Sequence, residues 1–242
     1  MKDLETEKFL CNFIQGELWK EIMAQNPNEI RFPLFISQDD WESGNPLGPQ
    51  AGKNKFCGVY VLLPCFPPHL VAQLDYILLH SIFRASDRVD FGNKAVFNQL
   101  IKEVNKLSSD GLVIKSGSKE HHIRFQAVLL TGDNLGLNEA LGFSQNFAQG
   151  RPCRTCRATI SEIREMLEES EGLLRTEANY EEDFAKMNSF LTGIKERCIF
   201  HSIHGFYVCI NLILDIMHDI FEGVCIYAMV LIITLLIKRG YF

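Results

Sequence analysis

Residues 30–40 read Ile-Arg-Phe-Pro-Leu-Phe-Ile-Ser-Gln-Asp-Asp, an apolar run of strand length that ends in two adjacent acids. The turn-rich residues 44–49 separate this run from a second strand-like run at residues 56–63, and the pair predicts a hairpin. A third run of this kind, residues 123–131, leads through a glycine into Asp133. Two predicted strands therefore end at an acid.

Helices are predicted where apolar residues recur three or four positions apart. Residues 4–24, 69–83 and 93–107 show this spacing, and a last helical stretch covers residues 211–238. Strands that end in acids thus alternate with helices along the chain. This order of elements predicts an α/β protein with a mixed sheet, in which distant carboxylates meet.

Four ionisable residues interrupt the apolar sequence near the start of the last helix: Asp215, His218, Asp219 and Glu222. At 3.6 residues per turn they fall within one narrow arc of the helix. Like charges in an apolar setting are costly unless a cation neutralises them, so we expect a positive ligand there. Two alternatives stay open: the acids face water, or Asp215 caps the helix N-terminus.

Composition indicates a single globular unit, because 242 residues that are 47% hydrophobic can bury a sizeable core. The net charge of −6 excludes a global attraction for nucleic acid, so any such binding must be local.

The charged N-terminus does not resemble a secretory signal, and we expect reduced cysteines in an intracellular protein. The apolar residues 223–237 are fewer than the about 18 of a membrane span, and we expect a buried core helix there.

The character of the chain changes between residues 150 and 198, which hold many glutamates and few large apolar residues. This stretch is predicted to be an insertion rather than core. It begins with a Cys-x2-Cys pair that carries a local basic cluster. The arginines of this cluster either contact phosphates or form a solvated face, and they are Arg151, Arg154, Arg157 and Arg164.

Acids at the ends of neighbouring strands can bind two divalent cations, and carboxylate oxygens suit Mg²⁺. Several motifs together resemble the transposase catalytic domains of cut-and-paste DNA transposons, most closely the CACTA-like group. These motifs are Gln38-Asp39-Asp40-Trp41-Glu42, Asn45-Pro46-Leu47-Gly48, Gly132-Asp133-Asn134-Leu135, Cys153-x2-Cys156 and Asp215-x2-His218-x3-Glu222-Gly223. The resemblance covers roughly residues 30–230. It implies an RNase H-like fold, that is, a mixed sheet flanked by helices, with a zinc-binding helical insertion before the last catalytic helix.

The resemblance also implies a catalytic triad that binds Mg²⁺ or Mn²⁺. Matched by position, Asp39 is the first acid, Asp133 the second and Glu222 the third. Asp40 is the alternative for the first acid, because the doubled acid leaves the register open. Asp219, one turn earlier on the same face, is the alternative for the third.

A structural zinc ion is implied by the position of the cysteine pair between the second and third acids. Cys153 and Cys156 supply two ligands of a tetrahedral site, and His218 and His204 are the expected third and fourth. Similar proteins tend to carry a histidine where Tyr207 stands here, and the fourth ligand therefore stays open.

The predicted organisation has four parts: an N-terminal helical segment (1–29), the first part of the core (30–149), the Cys/His insertion (150–205) and a C-terminal catalytic helix region (206–242). The resemblance implies a polynucleotidyl transferase and endonuclease that cleaves and transfers DNA strands, with transposon ends and target DNA as partners. Whether the chain is a fragment of a longer protein and whether it forms homo-oligomers both stay open. We expect it in the nucleus or the cytoplasm, without membrane contact. The alternative is a catalytically inactive, transposon-derived domain that binds DNA or protein.

Overall fold

The computed structural model describes residues 10–241 except 46, 49–51 and 72, so the predicted helical residues 4–9 lie outside the described range. The protein has an α/β structure with a five-stranded mixed sheet in the order β3-β2-β1-β5-β4. Strands β1 and β5 are parallel neighbours, and the other neighbours are antiparallel. The predicted α/β class and mixed sheet are confirmed. The strands are β1 (Ile30–Glu42), β2 (Lys55–Leu62), β3 (Ile77–Arg84), β4 (Leu112–Ser116) and β5 (Lys119–Thr131).

Helices cover both faces of the sheet. They are α1 (Glu17–Gln25), α2 (Pro68–Val71), α3 (Ala85–Ser109), α4 (Asn134–Ala140), α5 (Ile160–Glu165), α6 (Glu177–Ala185), α7 (Ser189–Thr192) and α8 (Cys225–Lys238), with π-helical turns over Met217–Val224 before α8. Helix α3 buries Phe97 and Leu100 in a core that includes Ile36 of β1 and Leu130 of β5. On the other face, Trp19 of α1 belongs to a second buried cluster. Each fully buried side chain of this size contributes about 1.5–3 kcal/mol.

The prediction of a helix over residues 69–83 is wrong for most of its length. Only Pro68–Val71 is α-helical, and Ile77–Arg84 forms the edge strand β3. Strand β3 pairs with residues Phe56 to Leu62 of β2, and this pairing satisfies the backbone hydrogen-bonding groups of β3. The spacing of the apolar residues alone would also fit a helix. Tertiary pairing thus overrides the local pattern.

The segment 150–205 shares the main core, which differs from the expected insertion outside the core. Tyr180 of α6 is fully buried, and its ring lies 6.1 Å from that of Phe143. Phe200 is also fully buried and lies 5.0 Å from Phe97 of α3. Two buried aromatic side chains thus fix the segment to the core, although its sequence shows no continuous apolar pattern.

The C-terminal helix is exposed, so the prediction of a buried core helix is wrong. Met217–Lys238 is 22 residues long with a mean hydropathy of 2.5, and none of its apolar window is buried. Large side chains along α8, such as Val230 and Ile232, are more than half exposed. Length and composition would allow this helix to cross a membrane, a test that core helices of soluble proteins also pass. An intracellular location is compatible with the rest of the fold.

Candidate functional site

A cleft of about 570 Å³ opens at the edge of the sheet where β1 and β5 end. Three carboxylates and one imidazole line it, and we call this group the acid cleft: Asp39, Asp133, Asp215 and His218. The cleft thus gathers residues from two strands and from the segment that leads into the last helix. Two of the three predicted triad acids, Asp39 and Asp133, are among them.

The parallel pairing of β1 and β5 explains why Asp39 and Asp133 lie together. Ser37 pairs with Thr131, so the acids that follow each position emerge at the same edge of the sheet. Gly132 permits the close approach, because a Cβ atom there would lie 2.9 Å from the backbone oxygen of Gln38. The sequence pattern of strands that end in acids predicts this juxtaposition.

Asp133 is held in place by the helix that it starts. It is the N-cap of α4, and its Oδ1 atom accepts a hydrogen bond of 2.5 Å from the backbone N–H of Gly136. The second carboxylate oxygen forms no hydrogen bond with the described residues, and the Asp133 side chain lines the cleft. One oxygen therefore fixes the side chain, and the other is available for a ligand.

Asp39 forms no salt bridge with a lysine or arginine in the described part of the chain. Burial raises the pKa of its carboxyl above the ordinary value, and the nearby charges of Asp133 and Asp40 raise it further. The ring of His218 acts in the opposite direction, with a smaller effect. Neighbouring negative charges favour a bound cation or a proton on one of the carboxylates.

Asp40 is held differently, although it is the next residue. Its Oδ2 atom accepts a bond of 2.6 Å from the guanidinium of Arg88, whose side chain is 2% exposed. The same guanidinium lies 3.1 Å from Glu139 and 3.3 Å from Gln38 Oε1. Asp40 is thus an ion-pair partner of a buried arginine and points away from the cleft lining.

Asp215 and His218 form a unit at the other wall of the cleft. The Oδ1 atom of Asp215 accepts from the backbone N–H groups of Met217, at 3.1 Å, and of His218, at 3.3 Å, while Oδ2 bonds the His218 ring at Nδ1. This hydrogen bond raises the pKa of His218. Burial alone would raise the pKa of Asp215, but the bonds from His218 bring it below the ordinary value. Asp215 therefore caps the turn and also lines the cleft.

The π-helical turns change where the late acids point. Asp219 turns to the neighbouring Asn134, whose side-chain amide donates to Asp219 Oδ1 at 2.5 Å. Glu222 is exposed, and its Oε2 atom lies 3.9 Å from His218 Nε2. Three members of the predicted arc, Asp215, His218 and Glu222, therefore stay next to one another, and Asp219 turns away from them.

Arg154 lies beneath this wall of the cleft and was not predicted to support it. Its guanidinium is buried and donates to Asn134 Oδ1 at 2.8 Å, to Asn138 Oδ1 at 3.3 Å and to the Ile213 carbonyl at 3.2 Å. Burial lowers the pKa of Arg154, and the charge of Asp219 opposes this effect. The sequence pattern indicates Arg154 only as one arginine of a basic cluster, and it does not indicate a role for Arg88.

The predicted zinc ligands lie in separate places. Cys153 and Cys156 are adjacent, and their contact lowers the pKa of the Cys153 thiol and raises that of Cys156. The ring of His218 faces the acid cleft, whereas His204 is exposed on a turn that donates its backbone N–H to Asn105. Within the described part of the chain, no group of three or more His, Cys, Asp or Glu side chains is close enough to hold a metal ion.

The chain was compared with models of protein families and with curated proteins. No family model and no curated protein matches its sequence.

Proposed function

We propose that the chain is a transposase-like polynucleotidyl transferase and endonuclease domain that cleaves and joins DNA strands at the acid cleft. The observation that carries the proposal is the meeting of Asp39 and Asp133 at the ends of two parallel neighbouring strands, in one open cleft. On this proposal the mixed sheet is of the RNase H-like type, and a nuclear location follows from a DNA substrate.

The donor chemistry of the cleft fits a hard divalent cation. Asp39 has no cationic partner among the described residues, and its pKa is raised by burial and by neighbouring acids. Asp133 keeps one oxygen directed to the cleft. When bound, two Mg²⁺ or Mn²⁺ ions supply charge for a phosphodiester and an activated water or 3′-hydroxyl.

The contacts of the neighbouring acids favour one assignment of the triad. Asp40 is engaged by Arg88, which leaves Asp39 as the first acid. Asp219 accepts from Asn134, which leaves Glu222 as the third. The Glu222 carboxylate is exposed beside His218 and reaches the cleft in this proposal only when a substrate or metal draws it in.

Zinc is the second proposed metal. Cys153 and Cys156 offer two adjacent sulfur ligands, and His218 and His204 remain the predicted others. Metal analysis of the purified protein tests this: Cys153→Ser should remove bound zinc, whereas Cys65→Ser, at a buried thiol of the other core cluster, should keep it. Zinc retained in Cys153→Ser would remove the cysteine pair from the proposal.

Calorimetric titration with Mn²⁺ tests the acid cleft. The chelator-treated protein is saturated with Zn²⁺ first, so that only the carboxylate site takes up Mn²⁺. We expect the wild-type chain to bind and Asp133→Asn to lose binding, because one of two facing carboxylates is removed. Asp75→Asn, at an exposed acid outside the cleft lining, serves as the matched control.

A second candidate function is a catalytically inactive interaction domain. It is favoured by the fact that the described residues hold no group of three metal-binding side chains. Absence of Mn²⁺ binding in wild type, together with intact binding of DNA, would select this candidate. Metal-dependent cleavage that is lost in Asp133→Asn and kept in Asp75→Asn would reject it.

A further inference from the structure

A second cavity, of about 650 Å³, lies in the 150–205 segment. It is distinct from the acid cleft, with which it shares no lining residue. Its walls carry three cationic side chains and two hydroxyl groups next to an aromatic ring. We call it the basic pocket and define it by Arg151, Arg157, Thr159, Ser161, Lys186 and Phe190.

Positive charge exceeds negative charge at this pocket. The one carboxylate of its lining belongs to Asp183, which is bonded by Arg157 at 2.9 and 2.7 Å and by Lys186 at 2.7 Å. Arg175 approaches the same carboxylate from the buried side at 3.5 Å. The glutamates at 162, 165, 168, 169 and 171 lie outside the lining. In a chain of net charge −6, this is a local site for an anion.

Arg151 is the cation that is free to meet a ligand. Its guanidinium forms no salt bridge or hydrogen bond with the residues that the structure describes, and its charge contributes to lowering the pKa of Glu162. The Glu162 carboxylate itself accepts from Thr159, through the backbone N–H at 2.7 Å and the hydroxyl at 2.8 Å. An arginine without a partner at a pocket wall suits a phosphate group.

The lining of the basic pocket also contains apolar side chains. Phe190 is 61% exposed and Leu191 is 58% exposed, and Ile160 also lines the pocket. An exposed aromatic ring beside a cationic wall offers stacking to a flat base while its phosphate meets the arginine. The cavity volume lies in the range of roughly 300–1,000 Å³ that suits a ligand of nucleotide size.

We propose that the basic pocket binds one nucleotide unit of a single-stranded nucleic acid, with the phosphate on Arg151 and the base against Phe190. The choice of a nucleic acid rests on the proposed function. A smaller cavity, of about 240 Å³, is lined by Arg154 and Ile163 of the same segment and also by Leu214, which lines the acid cleft as well. A strand held in the basic pocket can thus continue toward the carboxylates.

The test is a fluorescence anisotropy titration of a labelled oligothymidylate in the presence of EDTA, so that no divalent cation contributes. We expect Arg151→Gln and Phe190→Ala each to weaken binding about tenfold, through loss of a phosphate contact or of base stacking. Arg151→Gln should also lower the slope of log affinity against log salt by about one. The matched controls are Arg164→Gln and Phe91→Ala, at exposed positions outside the pocket, which should stay within about twofold.

Equal losses in Arg151→Gln and Arg164→Gln would overturn the proposal, because they would indicate a diffuse charge effect. Inorganic phosphate that competes as well as thymidine monophosphate, with no effect of Phe190→Ala, would also overturn it in favour of a simple anion site. Oligothymidylate binding that depends on both residues, in a protein that shows no metal-dependent cleavage, would contradict the proposed function and support the pocket.

Discussion

Charges in two regions of the molecule are treated in opposite ways. In the 150–205 segment, the buried carboxylate of Asp183 is 2% exposed and has three cationic partners, Arg157, Arg175 and Lys186. In the acid cleft, Asp39 and Asp133 lie near each other and form no salt bridge with a lysine or arginine among the described residues, and the helix that leads away from the cleft exposes its apolar side chains. The Asp183 carboxylate is therefore neutralised within the chain, whereas the acids of the cleft are not.

This difference separates structural charge from functional charge. A buried acid surrounded by cations is satisfied, so its removal should damage the fold. A pair of neighbouring acids costs stability unless a cation or a proton neutralises it, so such a pair indicates a site for a cation. Substitutions in one region that leave the other intact therefore test which charges are structural and which are functional.

The largest effect is expected for Asp183→Asn. The change leaves the guanidinium of Arg175, which is fully buried, without its carboxylate. We expect a loss of roughly 3–5 kcal/mol in the free energy of unfolding, measured by urea denaturation. Glu182→Gln, at the exposed neighbouring residue, should change it by less than about 0.5 kcal/mol. Equal effects of the two changes would contradict the reading of Asp183 as a structural charge.

Arg154→Met tests the link between the two regions. It removes the hydrogen bonds to Asn134, Asn138 and the Ile213 carbonyl, and the freed acceptors are buried at Asn138 and partly buried at the other two residues. We expect a loss of about 1–3 kcal/mol and weaker Mn²⁺ binding at the cleft, because the wall that carries Asp219 is no longer fixed. Arg164→Met is the exposed control. A more stable variant would mean that desolvation of this cation outweighs its bonds.

The adjacent acids at the end of β1 offer the closest comparison of the two kinds of charge. Asp40→Asn weakens the contact with buried Arg88 and should cost about 1–2 kcal/mol in urea denaturation. Asp39→Asn should cost little or nothing, since it removes repulsion from Asp133 and Asp40. Equal losses in the two variants would show that Asp39 is also a structural partner.

Sequence reasoning works best where local pattern and tertiary structure agree. The strands at residues 30–40 and 123–131 carry near-continuous apolar runs that end in acids, and their parallel pairing brings Asp39 and Asp133 together as predicted. The apolar residues of strand β3 also fit a helical period, so the sequence pattern predicts a helix there. The pairing with β2 makes this segment a strand.

The remaining parts of the site depend on information that a single sequence does not hold. Asp219 accepts a hydrogen bond from Asn134, and Glu222 is exposed beside His218, whereas the sequence pattern predicts one shared face directed at a single cation. Arg88 and Arg154 act through long-range contacts, with Asp40 and with Asn134, and such contacts leave no periodic signal.

A matched pair of isoleucines compares the packed core with the exposed helix. Ile101 of α3 is 5% exposed, whereas Ile232 of α8 is 55% exposed. We expect Ile101→Val to cost about 0.5–1.5 kcal/mol, because a buried methylene is lost. Ile232→Val should be neutral within about 0.5 kcal/mol in the isolated chain. A similar loss at both positions, measured by thermal unfolding, would show that α8 packs against something in solution.

The smallest effect concerns the pH dependence of stability, and its sign differs between the regions. Cationic neighbours hold the pKa of Asp183 below its usual value despite burial, so its contribution is present above about pH 3.8 and is lost as the pH falls through the folded pKa. The pKa of Asp39 is raised, so ionisation opposes folding as the pH rises from about 3.8 through the folded pKa.

Asp39→Asn should therefore become more stable than wild type as the pH rises toward neutrality, by less than about 1 kcal/mol, since the group is partly solvated. The two proteins should converge below about pH 3.8, where both carry a neutral side chain. Urea denaturation in EDTA across this range measures the difference, and saturating Mn²⁺ should reverse it, because only wild type then gains the free energy of metal binding. A variant that is less stable at neutral pH in EDTA would place Asp39 with Asp183 among the satisfied charges.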